Sequence, residues 1–167
     1  MRADDQNASG ELRRTTVEQG GSRINFEPEF SSRCSLQPEQ HVGNVLVVDD
    51  EGAMCEILSL YLGFKGLAVK TSQTPGEALD AFIETPFDLV ILDWDLTGVE
   101  SLDLLNYFKA TRPETAVIIF TGKEITESFL MKRLEGRADA ILPKLGSLET
   151  LWQQITSLLV KTARRRA

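Results

Sequence analysis

The stretch DLVILDWDLTGVE, residues 88–100, contains the pattern that decides the fold. It begins with the nearly continuous apolar run DLVILD, which is typical of a central strand in a parallel sheet. The run ends at Asp93, Asp95 lies two residues further on, and Thr97 follows after another two. Because ligands of an open α/β sheet bind at the carboxyl ends of its strands, these three side chains are candidates for a functional site.

Short apolar segments on both sides of this stretch predict four more strands. They are NVLVVDD (44–50), LAVKT (67–71), TAVIIFTG (115–122) and ADAILPK (138–144). Helical patterns lie between and after the strands. Strands that alternate with helices over short links predict an α/β domain, in which a doubly wound five-stranded parallel sheet is covered by helices on both faces.

Five segments have the apolar spacing of amphipathic helices. In the first, within residues 51–66, the apolar residues Met54, Ile57, Leu58, Tyr61 and Leu62 recur with a helical period, and Gly66 is expected to end the helix. In the second, Thr74 is expected to cap the helix, with Pro75 at its first position and Glu77 closing a capping box. The remaining helices are predicted within residues 101–113, 124–137 and 147–166.

Composition limits the range of functions. The chain has 167 residues, 42% of them apolar, and a formal net charge of −7. An acidic chain is a poor match for nucleic acid, whose phosphate backbone is bound by basic surfaces. No apolar run approaches the roughly 20 residues that cross a bilayer, and no dinucleotide-binding or P-loop glycine motif is present. We therefore expect a cytoplasmic protein that binds neither nucleic acid nor membrane.

Composition also changes along the chain. Residues 1–43 are rich in Gly, Ser, Gln, Glu, Pro and Arg without sustained periodicity, and we predict a disordered N-terminal tail. Residues 44–160 contain all the predicted strands and all but the end of the last predicted helix, and they are predicted to form one domain. Residues 161–167 are predicted as a basic C-terminal end, whose positive charges are favourable beside a helix C-terminus.

Polar side chains stand at the ends of four predicted strands: Asp49, Asp50 and Glu51 at the first, Asp93 and Asp95 at the third, Thr121 at the fourth, and Lys144 at the fifth. Singly, each has an ordinary explanation, since a strand-terminal Asp often caps a helix and a lone Lys is usually solvated. Together they suit one chemistry. Clustered carboxylates repel one another, and a hard cation such as Mg²⁺ relieves that repulsion. A carboxylate beside such a cation could attack a phosphoryl group, because phosphoryl transfer depends mostly on positioning and charge neutralisation.

Two families fit a strand that ends in a reactive Asp. The D-x-D-x-T sequence from Asp93 to Thr97 resembles the nucleophile motif of haloacid-dehalogenase-like phosphatases, which use the second Asp as acid and base. Their metal-binding acidic pair follows the conserved lysine, whereas Asp49 and Asp50 precede Asp93 here. The chain also has no room for a cap domain, so this phosphatase is the alternative interpretation.

The strand ends more closely resemble the receiver domain of response regulators in two-component (His-Asp phosphorelay) systems, over residues 44–160. The matching segments occur in the family's order: VLVVDDE, DLVILDWDLTG, VIIFTG and ADAILPK. The resemblance implies a flavodoxin-like fold with strand order 2-1-3-4-5. It implies a response regulator that is not an enzyme in the ordinary sense, although it assists its own phosphorylation and dephosphorylation. Because only KTARRRA ends the last predicted helix, we expect a stand-alone regulator.

The resemblance also implies individual roles. Asp93 would accept a phosphoryl group from a sensor histidine kinase or a histidine phosphotransfer protein. Thr121 would be the switch hydroxyl, and Lys144 would contact the phosphoryl oxygens. Mg²⁺ would be held by Asp49 (through water), Asp50, Asp93 and the main-chain carbonyl of Asp95. Because no output domain is predicted after the last helix, we expect signalling by contact with a downstream protein.

The chain departs from the family pattern at three positions. Thr97 stands where the family usually has proline, Ile141 replaces the usual aromatic, and Leu145 replaces the proline that typically follows the lysine in cis. Since a cis bond before leucine costs roughly 3–4 kcal/mol, we expect a trans bond or an altered loop there. A degenerate receiver, acting as an unphosphorylated binding module, is a further alternative. The complete set of strand-end residues argues against it.

Overall fold

In the computed structural model, which describes residues 43–97, 101–122, 134 and 136–166, five parallel strands form one sheet. The strands are β1 (Asn44–Val48), β2 (Ala68–Ser72), β3 (Leu89–Asp93), β4 (Ala116–Thr121) and β5 (Ala140–Pro143). Their order is β2-β1-β3-β4-β5, which confirms the predicted α/β fold and its strand order. The order reverses between β1 and β3, so the carboxyl ends of these two strands border the crevice where such sheets bind ligands.

The apolar run of the opening stretch forms β3, near the centre of the sheet. All five of its residues are buried, as are all six of β4. β3 pairs with β1 on one side and with β4 on the other, and Asp93 is opposite Phe120 in the register with β4. Strands buried on both faces carry continuous apolar sequence, which explains why this segment lacks alternation.

The described helices are α1 (Gly52–Phe64), α2 (Pro75–Glu84), α3 (Ser101–Thr111) and α4 (Leu148–Arg166). Helix α4 continues across residue 161, where we predicted the basic C-terminal end to begin, and Thr162 is buried within it. The predicted N-terminal tail and most of the helix predicted within residues 124–137 lie outside the described residues. Among the helices described, none combines the length and the apolar character that crossing a bilayer requires.

Helices cover the sheet on both faces and form two apolar cores. On one face, Leu46, Val48 and Leu92 pack with residues of α2 and α3, including Phe82 and Phe108. On the other, side chains of β1, β3 and β4 pack with residues of α1 and α4, among them Leu58, Leu62 and Ile155. Successive residues of a strand point to opposite faces, so each central strand contributes to both cores.

Helix α1 buries most of the apolar residues whose spacing indicated it, since Leu58 and Leu62 are buried and Met54 and Tyr61 pack partly buried against the same core. Cys55, Leu58 and Leu62 are buried, whereas Ile57 is 50% exposed. These three buried residues recur at intervals of three and four, and Ile57 falls on another side of the helix. Ile57 belongs to the apolar pattern that predicted the helix but lies outside its buried face, because tertiary packing decides which apolar residues of a helix are covered.

The predicted cap of α2 is present. The Glu77 N–H donates to Oγ1 of Thr74 at 3.2 Å, and Pro75 begins the helix. The Glu77 carboxylate accepts a hydrogen bond from the N–H of Gln73 at 2.9 Å. A standard capping box would instead use the N–H of the N-cap residue, Thr74. A similar local signal ends α1, where Gly66 adopts a positive φ of 87° that favours glycine.

Candidate functional site

Three carboxylates meet at the carboxyl ends of β1 and β3, where the strand order reverses. Asp49 and Asp50 follow β1 directly, and Asp93 is the last residue of β3. One carboxylate oxygen from each residue lies within 4.8 Å of the others. Asp49 and Asp93 are only 1% and 2% exposed, whereas Asp50 is half-buried. The fold thus brings together residues that are more than 40 positions apart in the sequence.

The ammonium group of Lys144 lies between the two buried carboxylates. Its Nζ is 2.9 Å from Oδ2 of Asp49 and 3.1 Å from Oδ2 of Asp93, and the side chain is 8% exposed. The carboxylate of Glu51, an exposed residue outside this cluster of three, also lies 3.2 Å from the Lys144 Nζ. The sequence places Glu51 at the same strand end as Asp49 and Asp50, but we did not assign it a role, and its contact with Lys144 was not predicted.

Burial and pairing shift the pKa values of this cluster in opposite ways. Burial raises the pKa of Asp49, and the hydrogen bond from Lys144 opposes this shift without cancelling it. Burial by itself lowers the pKa of Lys144, but its hydrogen bonds to Asp49 and Asp93 outweigh that effect and raise the pKa above its ordinary value. Lys144 is therefore a cation at neutral pH.

The turn after β3 fixes the orientation of Asp93. Its Oδ1 accepts a hydrogen bond from the N–H of Asp95 at 3.1 Å, while its Oδ2 faces Lys144. The N–H of Trp94 donates to the carbonyl of Phe120 at 3.1 Å, which ties the start of the turn to β4. Asp95 itself is exposed. Both oxygens of Asp93 are thus held in place by neighbours.

Thr97 forms hydrogen bonds with the carboxylate of Asp50. Its N–H donates to Oδ2 of Asp50 at 3.2 Å, and its Oγ1 hydroxyl donates to the same oxygen in a short hydrogen bond. The hydroxyl bond is the main reason why the pKa of Asp50 is lowered. In the sequence, Thr97 was notable only as part of a D-x-D-x-T motif and as a replacement for proline. Its hydrogen bonds to Asp50 were therefore not predicted.

Thr121 ends β4 beside the pocket, with its side chain fully buried. Its carbonyl accepts a hydrogen bond from the N–H of Lys144 at 2.7 Å, so the end of β4 positions the backbone of the lysine. In the sheet register Thr121 lies one residue past Phe120, which is opposite Asp93. The structure therefore places the predicted switch residue at the next strand end.

The two other departures from the family pattern differ in their surroundings. Ile141 is half-buried and packs against the core that contains Val117 and Ile119. Leu145 is 92% exposed, directly after Lys144, whose side chain is 8% exposed. No cis peptide bond occurs in the part of the chain that the structure describes. A trans bond after Lys144 is one of the two outcomes we predicted.

The donor set suits a hard divalent cation. Asp49, Asp50 and Asp93 provide three carboxylates, Lys144 provides one ammonium group, and their combined formal charge is −2. A divalent cation would neutralise this charge, and carboxylate oxygens are the ligands that Mg²⁺ prefers. The residues therefore fit the predicted magnesium site.

The family model of the response regulator receiver domain matches residues 45–156. Response regulator MprA of Mycobacterium sp. (strain KMS) is 31% identical over 119 residues, which cover 71% of this chain and 51% of that protein. The chain thus spans about half the length of the curated relatives it matches.

Solved structures show the same fold. A CheY-like response regulator receiver domain protein from Methanospirillum hungatei JF-1 is 28% identical and has a TM-score of 0.67, over 73% of this chain and 97% of that one. Response regulator protein TrrA from Thermotoga maritima, solved in complex with Mg(2+)-BeF, is 26% identical with a TM-score of 0.61. That match covers 69% of this chain and 97% of TrrA.

Proposed function

Because this chain belongs to the receiver domains of two-component response regulators, we propose that it accepts a phosphoryl group on Asp93. The donor is the phosphohistidine of a sensor histidine kinase or of a histidine phosphotransfer protein. The observation that carries the proposal is the position of Asp93. Its carboxylate lies at the end of the central strand, 3.1 Å from the Lys144 ammonium and next to two further carboxylates.

The transfer requires little chemistry from the protein beyond positioning and charge. A carboxylate oxygen of Asp93 attacks phosphorus, the phosphorus–nitrogen bond to imidazole breaks, and an aspartyl phosphate forms. Lys144 leaves its contact with Oδ2 of Asp93 to pair with a phosphoryl oxygen. Thr121 donates its hydroxyl to a second phosphoryl oxygen. These contacts stabilise the charge that the phosphoryl oxygens carry in the transition state.

Mg²⁺ is the cofactor that we propose for this site. Asp49 (through water), Asp50, Asp93 and the main-chain carbonyl of Asp95 would hold it, and when bound it neutralises charge on the phosphoryl oxygens. Two observations support the ion: the formal charge of −2 on the pocket, and the Mg(2+)-BeF bound to the related TrrA. The same residues assist phosphorylation and later hydrolysis, so the protein catalyses only reactions of its own side chain.

The alternative interpretations are less well supported. In a haloacid-dehalogenase-like phosphatase the metal-binding acids follow the lysine, whereas here Asp49 and Asp50 come from β1 and precede Asp93. A degenerate receiver would lack part of the reactive set. Here Asp49, Asp93 and Lys144 are in direct contact, which favours a site that reacts.

We further propose that the domain, residues 44–160, signals by protein–protein contact in the cytoplasm. The charge of −7 favours a protein partner over nucleic acid or an anionic membrane surface. We propose a stand-alone regulator. An immunoblot of extracts from the native cells tests this, since a band near 18.6 kDa supports it and a much larger polypeptide contradicts it.

The phosphoacceptor is tested with a small phosphodonor such as acetyl phosphate in the presence of Mg²⁺. Intact-protein mass spectrometry should detect one added phosphate that base or hydroxylamine removes. Asp93→Asn should abolish the label, whereas Asp80→Asn, a matched change at an exposed position on α2, should retain it. A label that survives Asp93→Asn contradicts the assignment, and rapid turnover of a general phosphatase substrate would favour the phosphatase.

A further inference from the structure

Asp50 is held differently from the other two carboxylates of the pocket. Asp49 and Asp93 are buried and each contacts the Lys144 ammonium within 3.1 Å. Asp50 is half-buried, and its Oδ2 accepts two hydrogen bonds from Thr97, one from the backbone and one from the hydroxyl. The conformation of Asp50 therefore depends on the loop after β3, which lies 47 residues away in the sequence.

The side chain of a half-buried aspartate can adopt several rotamers, and a metal ion that binds it must fix one of them. Two donors on a single oxygen remove much of that freedom before any ion arrives. Because both donors converge on Oδ2, the other carboxylate oxygen of Asp50 accepts no hydrogen bond from Thr97. Hydrogen bonds that orient a metal ligand in this way typically change metal affinity by about 10- to 100-fold.

We propose that Thr97 is a positioning residue for the cation site. Its hydroxyl group orients the Asp50 carboxylate so that this carboxylate can bind a divalent ion. The inference rests on the proposed function only in taking Asp50 as a ligand. Proline, which usually occupies this position in receiver domains, has neither an N–H nor a hydroxyl to donate. The contact is thus a feature by which this chain tunes its own metal affinity.

Titration of the full, unphosphorylated chain with Mg²⁺ tests the proposal without any phosphorylation. Tryptophan fluorescence reports binding, since Trp94 is adjacent to Asp93 in the turn. Thr97→Val removes the hydroxyl while keeping the backbone N–H and the shape, and it should raise the Kd about 10-fold. Thr97→Ser restores a hydroxyl and should return the Kd to within about threefold of the wild-type value.

A matched control and a double-mutant cycle separate positioning from general damage. Thr111→Val, at the exposed end of α3, should leave the Kd unchanged. In an Asp50→Asn background, Thr97→Val should have almost no additional effect, because the group that it orients has lost its charge.

The contradicting outcomes are distinguishable. A Kd for Thr97→Val within twofold of wild type, or an equal effect of Thr97→Val with and without Asp50→Asn, overturns the positioning role alone. If the wild-type chain does not bind Mg²⁺, both the positioning role and the proposed magnesium site are wrong.

Discussion

At the scale of single residues, Lys144 organises the site. It pairs with two carboxylates that are almost fully buried, and each of those carboxylates would otherwise be an uncompensated charge. Removing one partner of a buried ion pair is far more costly than the pair's net contribution, because the remaining charge stays desolvated. Lys144 thus supplies the positive charge that these carboxylates need, as a bound cation would.

We expect Lys144→Met to lower the free energy of unfolding by about 3–5 kcal/mol at pH 7 in the absence of divalent ions. Mg²⁺ should restore part of this loss, because it supplies the missing positive charge. Urea denaturation with and without Mg²⁺ measures both effects. Lys161→Met, an exposed position on α4, should change stability by less than about 0.5 kcal/mol.

The pH dependence of that loss follows from the pKa shifts. Lys144 has a folded-state pKa above its ordinary 10.5, so its contribution is fully present below that value and is lost as pH rises through the raised pKa. As the pH falls, Asp49 is protonated at a higher pH than an ordinary aspartate, because its pKa is raised. In the Lys144→Met variant this protonation removes the unpaired negative charge. The cost of Lys144→Met should therefore shrink as the solution becomes acidic. A loss that stays constant as the pH is lowered through the acid range would contradict this account.

At the scale of helices and strands, local sequence signals predict most of the structure. The end of α1 at Gly66 and the start of α2 at Thr74 depend on residues within a few positions of each other. Such caps are visible in the sequence because their hydrogen bonds are local. Packing is not local, and the exposed Ile57 of α1 shows that a helical pattern alone does not select the buried face.

The cap of α2 makes a quantitative prediction at this scale. Thr74→Ala removes the hydroxyl that accepts from the Glu77 N–H, and it should destabilise the protein by about 1 kcal/mol. Thermal or urea unfolding measures the loss. Thr74→Ser retains the acceptor and should cost much less, whereas equal losses for the two variants would show that the hydroxyl is not the cause.

At the scale of the whole molecule, the site is a product of strand order. Parallel strands with the order β2-β1-β3-β4-β5 bring the ends of β1 and β3 side by side, with β4 and β5 following. The cluster of Asp49, Asp50, Asp93 and Lys144 was predictable, because each residue directly follows or ends an apolar run. The contacts of Thr97 and Glu51 were not, since they depend on the paths of loops and on side-chain conformations that no local pattern specifies.

The central claim is that Asp93, and no other residue of the acidic pocket, receives the phosphoryl group. The most direct measurement is to phosphorylate the full chain with a small phosphodonor and Mg²⁺, reduce the product with borohydride, and sequence its peptides by mass spectrometry. Borohydride converts an aspartyl phosphate to homoserine. The account predicts homoserine at position 93 alone, and homoserine at position 49, 50 or 95 in its place would contradict it.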